Sequence, residues 1–273
     1  MSDQPDLSGK TAIVTGASSG IGRAIAERLG ASGAHVILSG RTPDAMEQSA
    51  ALIAERGGRA TVIVSDVRDP AAVQALVGAA MAADGRVDIF VNNAGVSYLG
   101  TVIDGTPEQW STMLDTNVLA LLVGAQAAIG AMREVGNRGH IVNVSSVAAL
   151  RPDSGVYGAT KHAVNVITET LRLELVDDPI QVTSIMPGLV ATNIGRNVDP
   201  ELLAGIVAMS GIEFEVVPGE RLPDEVLEAA QVALADIMIA PDDVADAVLY
   251  AVTRPAHVHI PEIVIRPNKN FDL

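Results

Sequence analysis

Seven short runs rich in β-branched residues recur along this 273-residue chain, at Thr11–Thr15, His35–Leu38, Ala60–Val64, Val87–Val91, His140–Val144, Ile180–Ile185 and Ile263–Ile265. Most are continuously apolar rather than alternating, which marks strands covered on both faces, as in a parallel sheet. Stretches with helical spacing of apolar residues lie between them, at Ile21–Ala31, Asp44–Arg56, Ala71–Ala83, Pro107–Arg133, Val156–Val176 and Asp242–Val252. Each is long enough to carry the chain back to a parallel neighbour. The alternation predicts an α/β fold, doubly wound, with a seven-stranded parallel sheet and right-handed crossovers that place helices on both faces. No linker or internal repeat interrupts it, so residues 1–273 read as one domain. The irregular part is Asn193–Ala240, acidic and with two predicted short helices, an insertion placed to act as a lid.

Composition narrows the function classes. Aromatics are 3% and apolar residues 48%, so the core must be aliphatic. The absence of cysteine excludes disulfides, thiolate catalysis and cysteine metal sites, and fits a cytoplasmic protein. A net charge of −15 repels nucleic acid and anionic lipid, so neither is an expected partner. No stretch approaches the roughly 18–20 continuous apolar residues of a membrane span, and the opening Met1–Gly9 is polar, without the pattern of a secretory signal. The five histidines show no metal-binding spacing with carboxylates, so no metal is expected.

Thr15-Gly16-Ala17-Ser18-Ser19-Gly20-Ile21-Gly22 follows the first strand and opens the first helix. Glycines there let the chain turn sharply and the backbone approach a pyrophosphate, while the helix N-terminus offers free N–H groups to it. Tyr157 and Lys161 stand four apart on one predicted helix, so both face the same way. A tyrosine near its ordinary pKa of about 10 exchanges protons poorly at neutrality, and a nearby ammonium favours its phenolate.

The spacing of the glycine loop resembles the TGxxxGxG loop of the short-chain dehydrogenase/reductase family, a Rossmann-type fold. The resemblance extends along nearly the whole chain. Asn92-Asn93-Ala94-Gly95 resembles the family's NNAG, which lines the adenosine–ribose side of the cofactor; Asp66, followed by Val67, resembles its adenine-contacting aspartate. Pro187-Gly188-Leu189-Val190-Ala191-Thr192 is similar to PGxxxT, which flanks the nicotinamide, with Thr192 on the carboxamide. Tyr157 and Lys161 match YxxxK. The resemblance implies Tyr157 as acid/base, Lys161 on the nicotinamide ribose, Ser146 holding the substrate oxygen, and Asn117 bending its helix and holding a water that links Lys161 to solvent. Ser145 stays the alternative serine, because the loop to Tyr157 is shorter than in many members.

The end of the second strand reads Leu38-Ser39-Gly40-Arg41-Thr42. Gly40 stands where an NAD-type aspartate usually sits, and Arg41 suits a 2′-phosphate by charge and fork geometry, so NADP(H) is expected. NAD(H), with Arg41 merely stacked on adenine, is the alternative. Tyr98, Leu150 and Val190 would line the substrate cleft by analogy of position. Ile194, Leu202, Leu203, Ile206, Met209, Ile212 and Phe214 serve either that pocket or the lid's own core. The C-terminal run Asp246–Pro267 resembles the branch of NADP-dependent 3-hydroxy-acid and serine dehydrogenases. The resemblance implies an oxidoreductase for a small alcohol or ketone, assembled as a homotetramer or homodimer. Two rivals stand beside it. One is a 3-ketoacyl reductase, against which the many lid carboxylates (Glu201, Glu213, Glu215, Glu220, Asp224, Glu225, Glu228) argue by repelling a polyanionic substrate. The other is a nucleotide-sensing regulator without chemistry, which would be expected to have lost the tyrosine or lysine.

Overall fold

A computed structural model describes residues 6–197, 200–209, 211–217 and 219–269. The polar opening at 1–5 and the Leu202 side chain lie outside the described residues. The chain runs β1 (Thr11–Thr15), α1 (Gly20–Ala31), β2 (His35–Gly40), α2 (Pro43–Glu55), β3 (Arg59–Val64), α3 (Pro70–Asp84), β4 (Ile89–Asn92), α4 (Pro107–Leu114), a π-turn (Asp115–Leu119) and α5 (Ala120–Val135). It continues through β5 (Gly139–Val144), a 3₁₀ turn (Val147–Leu150), α6 (Gly155–Glu174), β6 (Ile180–Pro187), a second 3₁₀ turn (Asn193–Asn197), α7 (Pro200–Met209), α8 (Asp224–Ala233), α9 (Pro241–Val252) and β7 (Glu262–Ile265). The seven strands form one parallel sheet in the order β3-β2-β1-β4-β5-β6-β7. Chain direction across the sheet reverses between β1 and β4, and that switch point opens a crevice at the carboxyl edge.

Local chemistry sets the boundaries. Asp69 caps α3 through Ala71 N–H at 3.0 Å, and Gly85, at φ 67°, ends it in the left-handed region. Thr106 and Gln109 cap α4 reciprocally. Alternate residues of each central strand then go to opposite faces. Val14, Leu38, Val91 and Val142 pack against Ile25 and Leu29 of α1 and Val244 and Val248 of α9. Ile13, Ile37, Phe90 and Ile141 pack against Leu76 of α3 and Ile129 and Met132 of α5. Each such aliphatic side chain taken out of water contributes about 1.5–3 kcal/mol, which makes the sheet a rigid platform for the loops at its edge.

The structure departs from the sequence reading at two places and decides a third that the reading left open. The helix expected at Pro107–Arg133 is broken by the π-turn, where Ala120 N–H bonds back to Asp115 C=O. By length and composition Pro107–Val135 is apolar enough to span a membrane, contrary to the sequence reading, but Ala125, Ala128, Ile129 and Met132 spend that character on the core. Of the apolar residues of the insertion, Ile194 lines the cleft, while others pack within the insertion or on its neighbours. Leu203, Val207, Leu222 and Val226 form a small core of their own with Ile212 beside it, and Ile206 lies on Leu234 and Met238.

Candidate active site

The glycine loop leaves β1 at the switch point. Gly16 and Gly20 take φ of 68° and 53°, which disfavours any other residue. A Cβ at Gly22 would stand 2.3 Å from the Gly16 carbonyl oxygen, so the loop closes only with glycine there. Asn93 fastens the loop from the next strand, its Nδ2–H donating to Thr15 C=O at 2.8 Å. The Thr15 hydroxyl accepts from the main-chain N–H groups of Asn93 and Ala94, each at 3.1 Å. Ser19 leaves the α1 N-terminus without a side-chain cap, and no acidic residue occupies the first turn. Ser18 through Gly22 therefore present uncapped helix N–H groups to the cleft they line, as an anion-binding terminus does.

That cleft has a volume of about 780 Å³. It gathers the expected residues from distant parts of the chain: the glycine loop, Arg41, Asp66, Val67, Asn93, Ala94, Gly95, Tyr98, Ser146, Tyr157, Lys161, Pro187, Gly188, Val190 and Thr192. Leu150 is the exception. It sits on the 3₁₀ turn, is 63% exposed, and is absent from the cleft walls; the turn points it outward to solvent.

Tyr157 and Lys161 are buried one turn apart on α6, with Lys161 Nζ 6.0 Å from the phenol ring centre. The ammonium donates to Val144 C=O at 2.8 Å. Burial pushes the Tyr157 phenol up to about 12, against which a hydrogen bond from the Ser146 side chain acts to lower it. Burial pulls Lys161 down to about 8. Desolvation dominates the phenol, and the lowering anticipated from the lysine charge is not among the influences on it. The two serines separate clearly. Both line the cleft, but Ser145 is 3% exposed with its hydroxyl donating to Lys161 C=O at 3.1 Å, whereas Ser146 Oγ accepts from Ala148 N–H at 3.1 Å and its side chain acts to lower the phenol.

Asn117 lies in the π-turn, behind the cleft rather than on its wall. Its Oδ1 accepts from Val96 N–H at 2.9 Å, and its Nδ2–H groups donate to Val96 C=O at 2.9 Å and Thr160 Oγ1 at 3.0 Å. Both amide hydrogens are thus committed to protein. A cavity of about 10 Å³, the volume of roughly one water probe, lies against Asn117, Thr116, Asn92 and Lys161.

At the other end of the cleft, Asp66 is held by Arg68 through both carboxylate oxygens, which pulls it to about 2. Sequence reasoning missed Arg68, and it missed Arg196 and Arg221, which also line the cleft. Their signal was present in the composition of 193–240, where they are the two basic residues amid many acids. The lid acids named above are not among the residues that line the cleft. No cluster of potential metal ligands occurs among the described residues.

Comparison with known proteins places these features in context. Residues 10–202 match the short chain dehydrogenase family. An uncharacterized oxidoreductase of Staphylococcus epidermidis is 36% identical over 260 residues, covering 94% of this chain and 97% of that one. An alcohol dehydrogenase from the archaeon Thermococcus sibiricus, solved with 5-hydroxy-NADP, superposes with a TM-score of 0.77 at 25% identity over 97% of this chain and 99% of its own. The closed form of a serine dehydrogenase complexed with NADP⁺ gives 0.76 at 31% identity, covering 94% of each. A family member from Burkholderia phymatum, solved with NAD, gives 0.75 at 28% identity, over 95% of this chain and 89% of that one.

Proposed function

The chain belongs to the short-chain dehydrogenase/reductase family and is an oxidoreductase, and from that premise we propose that it interconverts a secondary alcohol and a ketone with NADP(H), Tyr157 serving as acid and base. The observation that carries this reading is the meeting of a buried phenol, a buried amine and the Ser146 hydroxyl at one wall of the cleft.

The cradle fits a dinucleotide. The glycine loop and the α1 N-terminus would hold the pyrophosphate, Asp66 and Val67 the adenine, and Asn93 to Gly95 the adenosine ribose. Lys161 would hold the nicotinamide ribose, with Pro187, Gly188, Val190 and Thr192 beside the ring. Bound there, the nicotinamide supplies or accepts the hydride. Tyr157 then protonates the carbonyl oxygen in reduction and takes the proton back in oxidation. Ser146 donates a hydrogen bond to that oxygen and stabilises the charge developing on it. Lys161, protonated below about pH 8, keeps a positive charge near the phenol. Val96 and Tyr98 line the cleft beside Tyr157, backed by Met113 and Trp110, and such an apolar flank suits a mainly apolar substrate.

Two observations favour NADP(H). Arg41 lines the adenosine end of the cleft, and a side chain at Gly40 would press on Met46 Sδ at 3.1 Å and Ser18 Cβ at 3.4 Å, leaving little room for an NAD-type aspartate. The NADP complexes of the alcohol and serine dehydrogenases agree, while the Burkholderia relative was solved with NAD. Exposed apolar residues on α4, the π-turn, α5 and α6 (Leu114, Leu119, Leu122, Val166, Leu173) support assembly into a homotetramer or homodimer.

The test is a screen of ketones, alcohols and a 3-ketoacyl thioester with NADPH and NADH in parallel, followed at the absorbance of the reduced nicotinamide. Turnover of a ketone with a clear preference for NADPH is expected, and equal use of both cofactors would sink the argument from Arg41. Tyr157→Phe should lower kcat by about a thousandfold or more and leave cofactor binding intact. An active Tyr157→Phe enzyme would overturn the mechanism.

A further inference from the structure

The 3₁₀ turn Asn193–Asn197 follows directly on Thr192, whose side chain abuts the glycine loop so closely that a Cβ on Gly20 would stand 2.8 Å from Thr192 Cγ2. The insertion therefore begins directly over the uncapped N-terminus of α1. Arg196 lies on that turn, half-buried, and Arg221 lies far along the insertion, yet both line the cleft.

Their placement is held by hydrogen bonds. Asn193, 7% exposed, accepts from Leu222 N–H at 2.7 Å and donates to Leu222 C=O at 3.0 Å, so its amide grips the residue next to Arg221. Gly219 N–H donates to Arg196 C=O at 3.2 Å, closing the same segment onto the turn. Asn197 reaches across to Ser97 C=O at 3.0 Å, and Arg23 of α1 pairs with Asp224 at 2.6 Å. The insertion is thus seated across the cleft between α1 and the loop after β4.

Arg196 donates to Asn193 C=O at 2.8 Å, and neither it, Arg221 nor Arg41 has a carboxylate partner among the described residues. Acids outnumber bases 33 to 18 in this molecule and eight other arginines are paired with carboxylates; what sets these three apart is that all of them line one cleft. Arg196 feels the other two. Burial first, then the charges of Arg221 and Arg41, push Arg196 below its ordinary value. Three guanidinium side chains lining one cleft suit an anion, and guanidinium matches phosphate oxygens by geometry as well as by charge.

We propose that Arg196 and Arg221 are a phosphate clamp carried on the insertion, closing over the phosphate groups of the bound dinucleotide opposite the glycine loop and Arg41. The inference rests on the cofactor reading above and adds to it a second half of the phosphate site, built from the segment that also covers the substrate. A carboxylate of the substrate is the competing anion; the proximity to Arg41 and to the glycine loop favours the cofactor.

Titration of the full-length protein with NADPH and with NADH, read by fluorescence across a series of salt concentrations, tests this without turnover. Arg196→Gln and Arg221→Gln should each weaken NADPH binding by about five- to tenfold and reduce the salt dependence of the affinity. Equal weakening of NADH assigns the clamp to the pyrophosphate, and weakening of NADPH alone assigns it to the 2′-phosphate; either supports the proposal. Arg221 is exposed and makes no hydrogen bond or ion pair among the described residues, so Arg221→Gln probes charge without disturbing the fold. Unchanged dissociation constants in both variants would overturn the clamp, also where only the KM of the carbonyl substrate rises. Failure of the unaltered protein to bind either dinucleotide would sink the cofactor reading itself, a separate result.

Discussion

Tyr157 and Lys161 carry opposite costs of the same burial. Each is pushed toward its neutral form, the phenol upward to about 12 and the amine downward to about 8. The phenol therefore remains an intact proton donor throughout the range in which reduction would be assayed, and the lysine loses its charge first. From this we expect kcat/KM for NADPH in the reductive direction to be level below about pH 8 and to fall above it, with the amine as the group titrating. A pH–rate profile checks this, and a level profile up to about pH 10 would detach Lys161 from the reaction. Ser146 shows how much was legible here. The sequence left two adjacent serines open, because strand-end residues point to opposite sides and a shifted loop exchanges them. Tertiary placement separates them: the Ser145 hydroxyl is committed to Lys161 C=O, while Ser146, capping the 3₁₀ turn, is the serine that acts on the phenol.

Among the elements, the broken helix after β4 bears most directly on the site. A π-turn adds a residue to one helical ring and rotates the turns of helix beyond it. Asn117 uses that distortion to bond both main-chain groups of Val96 and the Thr160 hydroxyl, tying the loop after β4 to α6 immediately beside Lys161. Asn117→Ala leaves these buried groups unpaired and is expected to destabilise the protein by about 2–4 kcal/mol, with a loss of activity that cofactor binding does not mirror. Denaturant melts and cofactor titrations on the same variant check it; an unaltered midpoint would show that water replaces the amide at no cost. The asparagine was legible from its surrounding residues, whereas the π-turn was not, since periodicity alone extends one helix through it. The insertion shows a complementary limit. Its two helices were visible in the spacing of apolar residues, but whether those residues faced the substrate or one another depended on how the helices folded together.

For the whole molecule, the parallel sheet has a consequence for stability as well as for the site. His140 of β5 lies between layers, Nε2 at 2.8 Å from Thr183 Oγ1 on β6, and burial pulls it down to about 3. Between that value and the ordinary histidine pKa of about 6.5 the unfolded chain binds the proton and the folded one does not. Stability therefore rises with pH through this window, and acidification costs about 1.4 kcal/mol per pH unit within it. Urea midpoints at a series of pH values should show His140→Gln with a flatter slope than the unaltered protein above about pH 4.5, where carboxylates contribute little. Identical slopes would assign the acid sensitivity elsewhere. The same sheet fixes the site globally, since its switch point between β1 and β4 brings the glycine loop and NNAG segment into contact.

Sequence by itself determined the parallel sheet, the glycine loop at the first strand–helix junction and the shared face of Tyr157 and Lys161. These are properties of spacing along a few turns of chain, and the backbone's fixed periods carry them directly into space. Only the tertiary structure decided that Leu150 faces solvent and that Arg196 and Arg221 of the insertion come to lie beside the cleft that Arg41 lines. Net charge sums every residue equally, whereas the field at one point is set by the few groups within a Debye length of it, about 8–10 Å. An acidic insertion can thus present its two arginines inward, and nothing in the order of its residues says so.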